Sequence, residues 1–296
     1  MIAQFHDRQQ DLRSVLVTLL FALSALLYAV ASGMYLVFLA KGAEGLADWS
    51  ARVLGGAIVS HVAFLTANWA LGGHLPTADI HQALAVLSLV VVVGFLVTTR
   101  VRKKLRVLGA FIGPVTLLLF LGAAFRRGVG PVPEGVRSAL LPLHVGVNIL
   151  GLAAFALAFA AALAYLIQER QLRKKNLGGV FQRLPALDVL DGLGLRSVLV
   201  GFPLLTIGVV TGTIWAVKLG EGSPAITASQ GFGILAWVLF AAVLLLRVAA
   251  GWRGRRAAIG TMLGFLCTMA VLVGYVVRES VPPAASAEVA ANGGGG

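Results

Sequence analysis

Histidine is the residue type from which this chain could most readily build chemistry, and there are five of them. His6 lies in an N-terminal arm. His61 falls near the middle of an apolar run, His74 in the polar connection GGHLPTAD, His81 at the start of the next apolar run, and His144 near the start of a later one. Asn148 follows His144 by four residues, one helical turn along the same face. Neutral imidazole in an apolar setting without thiolates suits iron, copper or zinc, and it is the ordinary axial ligand of haem. The chain has no paired His–carboxylate spacing such as HExxH. That puts haem ahead of a hydrolytic zinc. A plainer role competes at every position: a membrane histidine is often no more than a hydrogen-bond partner for a neighbouring helix. That role weighs most at His74 and His81.

Other reactive types are scarce. The single cysteine, Cys267, lies inside an apolar run. One thiol excludes an internal disulfide, a cysteine-based metal site and a CxxCH haem attachment site. It is read as a small packing residue. No Asp, Glu, Lys or Arg stands at the centre of an apolar run. This argues against a transporter built on buried carboxylates and against a voltage sensor. The segment LVGFPLLTIGVVTGTIWAVK, residues 199–218, mixes glycines, threonines and a proline into an apolar run. Gly208 and Gly212 form a small-xxx-small pair that allows close helix approach. Pro203 frees backbone groups and permits a kink. Trp215 and Trp252 suit the aromatic belt at a membrane interface.

The elements that carry these residues follow from composition. Hydrophobic residues make up 58% of the chain and charged residues 12%, with mean hydropathy +0.91. A soluble domain carries about 25% charged residues. The chain is therefore expected to be an all-α, polytopic membrane helix bundle. Eight runs are long enough to span: about 14–40, 53–72, 80–99, 107–125, 139–167, 197–217, 230–250 and 257–277. The first is too long for the apolar part of a cleaved signal and reads as a retained span. Residues 1–280 form one bundle domain in this reading, and 281–296, small and rich in Pro and Gly, a disordered tail.

The charges orient the bundle. The segments 41–52, 100–106, 168–196 and 247–256 hold 17 of the 24 Lys and Arg. Cytoplasmic loops carry such an excess. Both termini are then extracytoplasmic, periplasmic in a Gram-negative bacterium. The net charge of +12 is spent on topology and on anionic lipid, so no nucleic acid is expected. Within 168–196, the first part extends the fifth span, and LPALDVLDGL forms a short amphipathic turn or helix under the membrane.

Several longer stretches then carry a resemblance. GFPLLTIGVVTGTIWA, preceded by LPALDVLDGLGLRSVLV, closely resembles the cytochrome c assembly protein family of haem-handling membrane proteins, which includes CcsA-type synthase subunits and HemX-like proteins. LHVGVNILGLAAFALAFAAALAYLIQERQLRKK resembles the family helix that opens on an external histidine and ends in a basic segment. GWRGRRAAIGTMLGF resembles its last cytoplasmic loop and final span, and HVAFLTANWALGGHLPTADIHQAL its N-terminal segment. These pieces keep their order and cover most of residues 61–277.

The resemblance implies that His144 is the external histidine beside which the family presents haem. It implies a looser match of His61 to a membrane histidine that holds haem within the bundle, and of Trp215 to the start of a tryptophan-rich signature. Arg126, Arg127 and Arg137 could pair with haem propionates. The chain also departs from the family. Where synthase members carry WGxxWxWDxK, it reads KLGEGSPAITAS. No second external histidine follows near GYVVRESVPP, and Gln82 replaces the Glu of the ESL pattern. His74 or His81 is left as a second ligand.

Two functions compete. One is a haem-handling factor of cytochrome c assembly, binding haem b through His144 and His61, in contact with cytochrome c maturation proteins or apocytochrome c. The other is a HemX-like accessory protein acting on haem biosynthesis, with glutamyl-tRNA reductase as the implied partner. A small-molecule permease is a third, opposed by the missing buried charge and repeat symmetry. Synthase activity by this chain alone is not expected.

Overall fold

The computed structural model describes residues 2–72, 80–125, 140–175, 177–218 and 228–280. Every regular element among them is helical. Eight helices are long and apolar enough to cross a membrane. The expected all-α polytopic bundle is what the chain forms.

Helix α1 runs Ile2–Lys41, α2 Glu44–Gly72 and α3 Ile80–Val101. A 3-10 segment, Lys103–Leu108, leads into α4, Gly109–Gly122, with a further 3-10 turn at Ala123–Phe125. Helix α5 is Leu140–Arg173, and α6 a single turn, Val180–Arg183. Helices α7, α8 and α9 span Leu187–Lys218, Ala228–Ala249 and Arg255–Ser280. The spans match the expected order. The extension of the fifth span reaches Arg173, as expected.

One expectation is corrected. LPALDVLDGL is no separate helix lying under the membrane: from Leu187 onward it is the first part of α7. The cause is local and tertiary together. No helix breaker stands between Leu187 and Pro203 except glycine, and Leu190 is buried in the bundle rather than laid on a surface. Helix α2 likewise begins at Glu44, nine residues before the apolar run expected at 53, because DWSAR continues the helix in the polar zone. The expected tail at 281–296 lies outside the described residues.

The helices pack as two groups joined by α3. One group is α1, α2 and α4; the other is α5, α7, α8 and α9. Close approach is made by small residues, as membrane interfaces require. In α5, Ala156, Ala158, Ala160, Ala161 and Ala164 are fully buried. A Cβ placed on Gly109 would fall 2.6 Å from the Tyr35 ring, and one on Gly113 would fall 2.6 Å from Ser32 Oγ. Gly201 gives the same clearance to the Phe155 ring. Phe155 in turn stacks on Phe240 at 3.9 Å and 6°, joining α5 to α8.

The basic segments gather at one end of the bundle, and polar contacts fasten that end. Arg183 of α6 donates to the carbonyls of Leu39 and Ala40, the unsatisfied C-terminus of α1. Arg106 pairs with Asp48 at 2.6 Å. Arg247 of α8 holds Asp191 of α7 in a bidentate pair at 3.0 and 2.5 Å, and the Gly254 N–H donates to the same carboxylate at 3.2 Å. That pair is mostly buried and closes a small cavity of about 20 Å³ between α5, α7, α8 and α9. The space suits one water and no larger ligand.

Candidate functional site

His144 lies in the second turn of α5, at the end of the bundle opposite the basic segments. It is half-buried and faces α7. Its Nδ1 is 2.8 Å from Thr211 Oγ1. Thr211 Oγ1 is also 2.7 Å from the Ile207 carbonyl and 3.1 Å from that of Gly208. A hydroxyl has one proton, and a carbonyl can only accept. Thr211 therefore donates back to its own helix and accepts from His144 Nδ1–H. The Gly208 carbonyl faces the same imidazole.

Asn148 completes the other edge. Its Nδ2 donates to the His144 carbonyl at 2.8 Å, and that acceptor identifies the amide nitrogen. The same Nδ2 stands 3.2 Å from His144 Nε2. With Nδ1 protonated, Nε2 carries the lone pair and accepts the second amide proton. The tautomer follows from the network of donors and acceptors.

The glycines of α7 make room for this arrangement. A Cβ on Gly208 would overlap the Asn148 side-chain amide, and one on Gly212 would stand 3.0 Å from His144 Cε1. The pair does allow close helix approach, as its spacing predicts. Its role is narrower than that: it forms the floor under His144 and Asn148.

An axial ligand for haem iron needs a neutral imidazole, a lone pair on the nitrogen facing the metal, and a partner fixing the other nitrogen. His144 meets all three requirements. Asn148 Nδ2 is a longer neighbour of its Nε2, and its Nδ1–H meets a threonine anchored to its own helix, with the Gly208 carbonyl against the same ring.

His61 belongs to a different group of helices. It is fully buried between α1, α2 and α4. Tyr28 Oη lies 3.0 Å from its Nδ1, and the Phe120 ring meets the imidazole edge-on at 4.4 Å. Phe64 is a further ring neighbour at 6.1 Å. Ser24 and Ser60 bond each other at 2.9 Å nearby. Nε2 of His61 has no hydrogen-bond partner among the described residues. The nitrogen suits a metal, while the aromatic rings occupy the space beside it.

His81 is buried, and its Nδ1 donates to the Gly122 carbonyl at 2.9 Å. It ties the start of α3 to the C-terminus of α4. The structure thus separates the three histidines: His144 on the α5–α7 seam, His61 within α1, α2 and α4, His81 between α3 and α4. Trp215 falls in the last turn of α7. His74, Arg126, Arg127, Arg137 and most of the KLGEGSPAITAS connection lie outside the described residues. Among the described residues, no three His, Cys, Asp or Glu side chains converge as a metal site.

The site holds two partners that sequence reasoning missed. Thr211 is four residues past Ile207 on an apolar helix, and nothing local marks it as facing a histidine 67 residues away. Tyr28 is likewise hidden, 33 residues from His61. The one available signal was that Gly208, Thr211 and Gly212 share a face of α7.

Residues 77–280, from just before α3 to the end of α9, match the Cytochrome C assembly protein family. The chain belongs to that family. His81, His144, Thr211 and Trp215 lie inside the matched region; Tyr28 and His61 lie outside it. Curated relatives agree. The chain is 26% identical over 236 residues to the cytochrome c biogenesis protein CcsA of Synechococcus sp. (strain CC9902), covering 71% of this chain and 77% of that protein. It is 28% identical over 235 residues to the CcsA of Prochlorococcus marinus subsp. pastoris, covering 71% and 74%. With the CcsA of Synechococcus sp. (strain CC9605) it shares 25% identity over 267 residues, covering 81% and 88%.

Proposed function

We propose that this chain is a haem-handling protein of cytochrome c biogenesis in a bacterial inner membrane. It receives haem b at the outer membrane face through His144. One observation carries the proposal: a neutral imidazole whose Nε2 bears the lone pair, placed at the end of the bundle away from the basic segments. The excess of Lys and Arg at the other end makes the His144 end extracytoplasmic. Family membership and the CcsA relatives supply the process in which such a site would work.

Haem is cargo here, and an axial imidazole holds its iron. The residues of this chain do the rest. Thr211 fixes the ring, Asn148 lies beside the ligating nitrogen, and Gly208 and Gly212 leave space along α7. Arg126 and Arg127 are proposed to neutralise propionates, and His81 to line the same outer end. Partners are apocytochrome c or membrane proteins of cytochrome c maturation. The sequence at 218–229 lacks the WGxxWxWDxK pattern, so haem attachment is assigned to a partner and not to this chain alone.

Purification in detergent followed by visible spectroscopy tests this. A Soret band present in the wild type, or appearing on addition of haem, and lost in His144→Ala supports it. A colourless protein that takes up no added haem would overturn it.

A further inference from the structure

At the basic end of the bundle, the end of α5 and the start of α9 meet over one carboxylate. Arg173 donates to Glu169 Oε1 through Nε at 3.1 Å and through Nη2 at 2.7 Å. Arg255 of α9 stands 3.8 Å from Oε2 of the same side chain. The carboxylate is 14% exposed, whereas the two arginine side chains are 71% and 63% exposed. One inner negative charge is therefore shared by two guanidiniums that face outward. Arg256, the next residue of α9, is also exposed and lies 5.8 Å over the Trp252 ring. The other carboxylate nearby, Asp191, is already held by Arg247 and the Gly254 N–H. Three guanidiniums thus crowd one corner with a single carboxylate among them.

An apolar surface continues from the same place. Ile259, Leu263 and Leu266 follow Arg256 by three, seven and ten residues, which puts them on one face of α9. All three are exposed. They lie within a helix long and apolar enough to cross a membrane. Cations at one end and exposed aliphatic side chains along the length fit a molecule with an anionic head and a hydrocarbon chain. A soluble anion would use only the first part. An acidic protein would not reach the second, which lies at membrane depth.

We propose that this corner is a binding site for an anionic phospholipid. Arg173, Arg255 and Arg256 hold the phosphodiester, and an acyl chain lies along Ile259, Leu263 and Leu266. Sidedness of the bundle asks only for positive charge, which lysine supplies as well. The planar guanidinium adds paired donors that match phosphate oxygens. Trp252 stacks on Arg256 and keeps its head at the level of the membrane interface. The site is independent of the haem reading. The start of α2 supplies a contrast: Arg52 lies 4.9 Å over Trp49, but the neighbouring Arg106 is taken by Asp48. The Arg–Trp pair recurs there without the cluster.

The whole protein in detergent is titrated with phosphatidylglycerol or phosphatidylcholine of the same acyl chains. Native mass spectrometry reads the bound lipid, and thermal unfolding reads the stabilisation. A cation beside an anionic lipid surface contributes about fivefold in affinity. Wild type is expected to bind phosphatidylglycerol at least tenfold more tightly than phosphatidylcholine. Arg255→Gln with Arg256→Gln should lower the phosphatidylglycerol affinity by roughly 25-fold, two such contributions, and leave phosphatidylcholine unchanged. Arg52→Gln should keep the wild-type preference. Equal affinities in the wild type overturn the proposal, and that comparison needs no substitution. A preference retained in the double variant, or lost equally in Arg52→Gln, overturns it too, since either outcome means general attraction to the basic end. Glycerol phosphate that stabilises as well as the lipid would show an anion site without a chain. Polyglutamate that displaces the lipid would show a site for an acidic protein; both results overturn the lipid assignment. Brominated phosphatidylglycerol gives a second reading on unsubstituted guanidiniums. It should quench the fluorescence component that Trp252→Phe removes, and no quenching there would place the lipid elsewhere and sink the site.

Discussion

Gly212 stands against His144 across the α5–α7 seam, so near that a Cβ added there would lie 3.0 Å from the imidazole Cε1. That separation is tighter than ordinary packing. The ring must give way, and it is held by Thr211 one residue before the glycine. Gly212→Ala is expected to shift the His144–Thr211 bond at a cost of about 1–3 kcal/mol, the usual penalty of overpacking. Thermal unfolding in detergent measures the stability loss. A Soret band weakened in parallel would show that the ring itself has moved.

Gly254 carries two constraints at once. Its φ is +65, and a Cβ on it would fall 2.5 Å from Tyr165 Oη. Alanine meets both the left-handed backbone penalty, about 1–2 kcal/mol, and the clash. Gly254→Ala should destabilise the protein clearly. Adding Tyr165→Phe should recover only the part due to the clash. Recovery to the wild-type unfolding temperature would show that backbone conformation contributes nothing there.

Asp191 and Arg247 form a mostly buried ion pair, with side chains 17% and 13% exposed. Removing one partner strands the other charge. Asp191→Ala or Arg247→Met alone is expected to cost about 3 kcal/mol, the lower end for such pairs given the residual exposure. The double substitution should be markedly milder than the sum. A double-mutant cycle by denaturant unfolding measures the coupling; additive losses would deny it.

Tyr28 and His61 are hydrogen-bonded in a fully buried aromatic cluster. Tyr28→Phe leaves a second imidazole nitrogen without a partner and should cost about 1–3 kcal/mol. His61→Leu together with Tyr28→Phe removes both polar groups and should be nearer neutral. Haem uptake through His144 is expected to survive the double change. Its loss would support His61 as a second haem ligand beside His144.

The orientation has its own check. Cys267 is the chain's single cysteine. In a Cys267→Ala background, a cysteine placed at Lys103 should react with a membrane-impermeant reagent only after the cells are opened. One placed at Gln4 should react from outside. The reverse pattern would invert the bundle and place His144 at the cytoplasmic face.

The fold was largely legible because its rules are one-dimensional. Apolar runs of about twenty residues and the alternation of Lys and Arg are read along the chain without reference to contacts. Helix α7 shows where that stops. Its apolar part was visible, but its start at Leu187 depends on Leu190 packing into the bundle and Asp191 meeting Arg247, 56 residues away. Pro203, a candidate for a kink, is carried within one continuous helix.

The site divides the same way. Sequence alone determined that the chain crosses a membrane, which end is basic, and that His144 and Asn148 share a helical face. These follow from hydropathy, charge and the 3.6-residue repeat. Tertiary structure decided the rest. It put Thr211 on Nδ1 and Asn148 at Nε2, it set Gly208 and Gly212 beneath them, and it sent His61 and His81 to other seams. A hydrogen bond between helices depends on rotation and depth, which apolar packing fixes in three dimensions and no local spacing encodes.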